Sequence, residues 1–156
     1  KYLKTVKIND DIYSKQYNDI WKNTEIANEI WFRIPSIKTA EAHLKANGKG
    51  KTYMYYYDKK CDINDWRGAA HAAELPYVFY NINYKEYGNV DKELAKNLSN
   101  AWVNFARTGD PSTDFAKWTP YNLKTRNTMV VGNDNSMTMQ KDYKGVQRKI
   151  LANTIK

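Results

Sequence analysis

From Asn18 the apolar positions Ile20, Ala27, Ile30, Trp31 and Ile34 recur at mostly three- and four-residue spacing, as one face of a helix does. Proline disfavours helical geometry at the residue before it but suits the first turn of a new helix. Pro35 therefore predicts a stop or kink, then a second helix that carries Ile37, Ala40 and Leu44 inward and ends near Asn47 and Gly48. Thr52 to Tyr57 is rich in strand formers, apolar on both faces and too short for a buried helix, so it predicts a central strand. The polar stretch Asp58 to Arg67 then carries the chain out of the sheet into a loop at Gly68-Ala69-Ala70-His71. Asp91 is placed to cap a helix striped by Leu94, Leu98, Trp102 and Phe105, which closes at Thr108-Gly109-Asp110-Pro111. Met129 to Val131 and Met137 to Gln140 flank Gly132-Asn133-Asp134-Asn135 and predict a hairpin; a short helix from Val146 to Asn153 follows. Residues up to Lys15 show no pattern.

Helices and strands thus mix in an α/β arrangement. No repeat, linker or shift of composition divides the chain, so one domain around one core is expected. No apolar run approaches the ~20 residues that cross a bilayer, and Lys1 to Asp10 lacks the apolar core of a secretory signal, so no membrane partner is expected. The chain opens on Lys1 rather than on Met, so an upstream segment is expected and localisation stays open. The single Cys61 has no partner for an internal disulfide, which fits a reducing compartment or a bacterial protein that does without bridges.

The net charge of +8, from 25 basic and 17 acidic residues, raises the question of nucleic acid. Its distribution answers against one: the lysines are scattered among Asn and Asp, with doublets such as Lys59-Lys60 and no dense basic run.

The chemistry-bearing residues are few. Two histidines cannot form a three-imidazole zinc site, and one cysteine cannot form a thiolate cage. No Gly-rich phosphate loop occurs, so no metal or cofactor is expected. Ser14, Ser36, Ser99, Ser112 and Ser136 all lie outside a Gly-x-Ser-x-Gly elbow, so the chain contains no recognisable nucleophile. His43 sits in the second helix beside Ala40 and Leu44 and reads as a surface or packing residue. His71 differs, standing between Ala70 and Ala72 on a loop reached from a strand, where a side chain can be presented at the strand's C-terminal edge. Pattern alone leaves it open between a structural and a functional histidine.

The stretch Gly68-Ala-Ala-His71-Ala-Ala-Glu74-Leu75-Pro76-Tyr77-Val78-Phe79 resembles the histidine motif of the type B carboxylesterases, the family of para-nitrobenzyl esterases and cholinesterases. The likeness continues in Trp102-Val-Asn-Phe105-Ala-Arg-Thr-Gly109-Asp110-Pro111 and in Trp118-Thr-Pro120-Tyr121. Upstream it takes in Phe32-Arg-Ile-Pro35 and the Tyr53 to Tyr57 strand, so it spans roughly Ile20 to Tyr143.

The resemblance implies the C-terminal part of an α/β-hydrolase fold, an incomplete sheet with several flanking helices. It implies that His71 is the triad histidine, with the serine, its acidic partner and the oxyanion hole all N-terminal to Lys1. Ala72 stands where many members have glycine, and Glu74, Pro76 and Phe79 read as structural. The implied partners are a small-molecule ester and the missing N-terminal part of the same protein; without that part the chain is expected to be inactive and to self-associate. The rival reading is a non-catalytic cholinesterase-like module for binding or adhesion.

Overall fold

A computed structural model describes residues 19–46, 49–60, 68–82 and 92–152, with the backbone only for 19–22. Expectations for Cys61, Asp91, Asn47, Gly48, Asn153, the residues up to Lys15 and the side chain of Ile20 lie outside the described residues. The elements in chain order are α1 (Asp19–Asn28), a π-helical turn (Glu29–Arg33), α2 (Ile34–Lys45), β1 (Tyr55–Tyr57), α3 (Leu75–Val78), α4 (Lys92–Thr108), β2 (Asn127–Val131), β3 (Met137–Lys141) and α5 (Gly145–Ala152). The fold is α/β, a small open mixed sheet with flanking helices. Among the described residues no helix is long and apolar enough to cross a membrane.

The strands lie in the order β1-β2-β3, with β1 parallel to β2 and β3 antiparallel to it. Every residue of β2 is buried, and its two polar side chains find partners. Asn127 Nδ2 donates to the Pro120 carbonyl at 3.0 Å and Thr128 Oγ1 to the Arg126 carbonyl at 3.2 Å, which offsets their loss of water. The hairpin follows the sequence pattern: Val131 pairs with Met137 where the turn begins and ends, and Asn135 at φ +64° turns the chain between them. The strand expected within Thr52 to Tyr57 is present as β1. Within the described sheet β1 holds an edge and is only half-buried, while β2 takes the centre. The tyrosines suit that place, because they are apolar enough to pack on the core and polar enough to stand at its margin.

Parallel strands need a long crossover, and the connection from β1 to β2 contains α3 and α4. The fully buried face of α4 is Leu94, Ala95, Leu98 and Ala101, packed with Tyr77, Val78, Trp118, Met129 and Val131. The predicted stripe continued through Trp102 and Phe105. Trp102 is half-buried and Phe105 is 47% exposed, because the small Ala95 and Ala101 let the helix lie close to the sheet on the neighbouring face. Gly109 ends α4 at φ +75°, a conformation open to glycine without a Cβ clash, and its N–H returns to the Phe105 carbonyl at 2.8 Å.

Instead of one core, the chain divides into two compact units. One spans Asn47–Tyr143 and contains the sheet, α3 and α4; the other joins the residues up to Ala46 with those from Lys144 on. The second unit has its own small core of Ile26, Ile34 and Leu151, flanked by Ile30 and Ala152. Being discontinuous in sequence, it leaves no linker for a composition scan to find.

In that unit the helix predicted to break at Pro35 runs on. Proline lacks an N–H, and its ring clashes with the carbonyl four residues back, here Trp31. The preceding turn widens: the Ile34 N–H reaches the Glu29 carbonyl, an i to i−5 bond, and the proline then begins α2 without interrupting the rod. The Ser36 hydroxyl donates to the Phe32 carbonyl at 2.8 Å beside it. The wide turn also shifts the helical phase, so Ile26 rather than Trp31 faces inward and Trp31 is 71% exposed.

Candidate active site

Gly68 to Ala73 carries His71 as its only side chain larger than a methyl. Packing cannot shape such a segment, so backbone bonds do. Ala73 N–H donates to the Ala70 carbonyl and Leu75 N–H to the Ala72 carbonyl, both at 3.1 Å, closing two tight turns with His71 exposed at the tip. Ala72 holds φ +64°, a left-handed conformation that costs an alanine roughly 1–2 kcal/mol. Glycine would hold it without that cost.

The turn runs into α3, where Pro76 occupies the first turn and needs no N–H partner. Tyr80 at φ +52° closes α3: its N–H donates to Tyr77 and that of Asn81 to Pro76, the bond pattern of a Schellman cap. Beyond His71 the chain therefore makes one short rigid helix, and Tyr77 on it meets the Tyr57 ring at 5.9 Å.

Alternate residues of a strand share a face, and Tyr53, Tyr55 and Tyr57 face the helices. Tyr55 meets Trp102 edge-on at 5.0 Å, while Tyr53 meets Phe105 at 5.8 Å and Trp118 at 6.5 Å. Trp118 is held by the loop after α4, where its N–H donates to Ser112 Oγ at 3.0 Å and Asn104 Nδ2 grips the Ser112 carbonyl at 2.7 Å. These rings, with Ala101 and Pro111, line a cavity of about 190 Å³.

Burial raises the Tyr53 hydroxyl above the ordinary phenol value, and the Asp110 charge adds to it. The Tyr55 hydroxyl is raised by burial first, then by the charge of Glu74 and a hydrogen bond to its carboxylate. Sequence reasoning read Glu74 as structural and gave no sign of this contact, because Tyr55 and Glu74 are brought together only by the fold.

His43 lies exposed in the last turn of α2. Among the described residues no hydrogen bond engages the His71 imidazole, and no three of His, Cys, Asp and Glu gather as metal ligands. The arrangement presents one imidazole to solvent on a turn closed by backbone bonds.

Comparison with known proteins gives this arrangement a context. A family model described as "Carboxylesterase family" matches residues 3–150. The para-nitrobenzyl esterase of Bacillus subtilis (strain 168) is 32% identical over 128 residues, covering 78% of this chain and 25% of that protein. The bile salt-activated lipase of Bos taurus is 34% identical over 128 residues, covering 74% of this chain and 21% of the lipase. A solved PNB esterase structure superposes with a TM-score of 0.71 at 27% identity, over 90% of this chain and 28% of the other. The chain spans about a quarter of the length of the relatives it matches.

Proposed function

Because the chain belongs to the carboxylesterase family, we propose that it is the C-terminal portion of a serine carboxylic-ester hydrolase and that His71 is the general base of its triad. The observation that carries the reading is the His71 turn. An exposed imidazole stands on a segment of small residues fixed by backbone bonds, which follows β1 in the sequence.

In this reading His71 accepts the proton of a serine hydroxyl as the oxygen attacks the carbonyl of a small-molecule ester. The same proton then passes to the departing alkoxide, and water repeats the cycle on the acyl-serine. An acidic side chain orients the imidazole and stabilises its charged form, and backbone N–H groups hold the tetrahedral oxyanion. The serine, the acid and the oxyanion hole would come from sequence N-terminal to Lys1. The reaction needs no cofactor.

The test compares the purified chain with the full-length protein that carries it. The chain alone is expected to hydrolyse para-nitrophenyl esters no faster than an equal amount of free imidazole. In the full-length protein His71→Ala is expected to lower kcat by at least the ~10²–10⁴-fold typical of a lost general base, with the melting temperature held. A variant keeping a tenth or more of the activity would make the histidine structural and favour the binding-module reading.

A further inference from the structure

We propose that the aromatic cavity between the Tyr53–Tyr57 run and α4 binds a neutral, single-ring aromatic molecule that carries a hydrogen-bond-accepting oxygen. The site goes beyond the ester-hydrolase reading and does not include His71.

The fold props this cavity open. Strand alternation turns Tyr53 and Tyr55 toward the helices, and α4 sets Ala101 beside the larger Trp102 and Phe105, so that one position of its wall ends at a methyl. The third wall, Pro111 and Trp118, belongs to the loop after α4 and is tied to both of the others. Asn104 Nδ2 donates to the Ser112 carbonyl at 2.7 Å and joins the loop to α4. The Tyr121 N–H donates to the Thr52 carbonyl at 2.8 Å and joins it to the strand. Walls anchored in this way resist falling together to close the void.

Size and lining set the guest. At about 190 Å³ the cavity exceeds the ~150 Å³ that lets an apolar cavity take up benzene and falls short of the ~300–1,000 Å³ of a drug-sized pocket. One six-membered ring with a short substituent suits it. The lining holds no charged side chain, so a carboxylate entering it would lose its water and gain no cation.

Two donors in the wall call for an oxygen. Trp118 is 7% exposed, and among the described residues neither its Nε1–H nor the Tyr53 hydroxyl has a hydrogen-bond partner, while both atoms are closed to solvent. A buried donor without an acceptor is a cost that the folded protein carries, and an arriving oxygen removes it. Tyr53 and Trp102 meet Trp118 at 6.5 and 6.3 Å, near the wide limit of about 7 Å for ring pairs. A small parting of the rings therefore admits that oxygen at little loss of contact.

Acetophenone, its hydrocarbon isostere α-methylstyrene and benzoate separate these features. Titrations followed by the indole N–H signals of isotope-labelled protein read binding at the wall itself, the Trp118 signal being identified by its loss in Trp118→Phe. Acetophenone is expected to move that signal saturably and to bind about tenfold more tightly than α-methylstyrene, as one hydrogen bond to a donor already stripped of water implies. Benzoate is expected not to bind. In a cavity without free donors the order reverses, because the ketone gives up its own water with no hydrogen bond in exchange. Tyr53→Phe keeps the ring and is expected to erase most of the preference for the ketone while α-methylstyrene binds as before. Ala101→Leu fills the void and is expected to exclude both; if it fails to fold, Tyr53→Phe decides alone. Hydrocarbon binding as tight as the ketone's, or a preference unchanged in Tyr53→Phe, overturns the proposal. So does binding to the 156-residue chain that is lost in the full-length protein, which would show the cavity to be covered by another part of that protein. His71→Ala is expected to leave the titration unchanged, so the site stands or falls apart from the esterase assignment.

Discussion

The Nε of Arg33 stands 2.6 and 2.7 Å from the two carboxylate oxygens of Glu29, and its Nη2 stands 2.6 Å from Oε2. Glu29 is 1% exposed, and the same guanidinium donates to the Lys144 carbonyl at 3.1 Å. Arg33→Ala would strand a buried carboxylate, and roughly 3–5 kcal/mol is the expected loss for breaking such a pair. Glu29→Gln keeps an acceptor and leaves an arginine able to reach water, so its loss is expected to be smaller. Urea midpoints followed by circular dichroism decide the order; equal losses would show that the pair contributes little beyond its packing.

The left-handed Ala72 gives a prediction of opposite sign for two substitutions. Ala72→Gly relieves about 1–2 kcal/mol of backbone strain and gives back about 0.4–1 through the freer unfolded chain, for a net effect between neutral and about 1.6 kcal/mol stabilising. Ala72→Val puts a β-branched side chain in the same conformation and is expected to destabilise. Thermal melts of the two variants against the parent check the contrast, and a stabilising valine would refute the assigned backbone.

Acid should weaken one turn in particular. The Asp110 carboxylate is held below its usual range, chiefly by the backbone N–H of Ser112 at 2.8 Å and by its hydroxyl, with Lys51 and Lys117 assisting. A carboxylate with a depressed folded value stabilises fully above its unfolded pKa of about 3.9 and loses that contribution as pH falls through the lower folded value. Asp110→Asn is therefore expected to be less stable than the parent at neutral pH, with the gap closing in acid. A gap that stays constant between pH 7 and the acid limit of folding would show that the carboxylate charge is not involved.

Self-association is the fourth expectation. Within the described sheet β1 stands at the margin beside β2, and its tyrosines are half-buried. An exposed strand edge is a template for another copy. Light scattering over a tenfold dilution should show mass above 18.3 kDa at the upper concentrations. Constant monomer mass, with the Tyr55–Tyr57 amides protected, would show that the edge is already covered.

What the sequence conveyed best were features written locally. The β2–β3 hairpin was legible because Gly132 to Asn135 interrupts two apolar runs, and the end of α4 because Gly109 precedes Asp110-Pro111. The His71 turn stood out through a long motif. Pro35 misled because a helix-breaking signal competes with a π turn that no periodicity announces. That same turn sets the phase of the helix before it, in which Trp31 stands exposed. The partners of Tyr55 were hidden for another reason: Glu74 and Trp102 are 19 and 47 positions away, and only the crossover brings them to one strand face.

The discontinuity of the smaller unit sets an order of assembly during synthesis. Ile26 and Ile34 bury themselves against Leu151, so that core cannot close until more than a hundred further residues have been made. Residues 47–143 emerge in between as an uninterrupted stretch and can reach their own contacts first. At about 5–20 residues per second, the early helix waits several seconds with its apolar face open. A nascent chain tethered to the ribosome by a linker that fills the exit tunnel, and exposed only as far as residue 143, should therefore carry a sheet that resists protease while its first helices are cut, and emergence of α5 should convert the latter to the protected state.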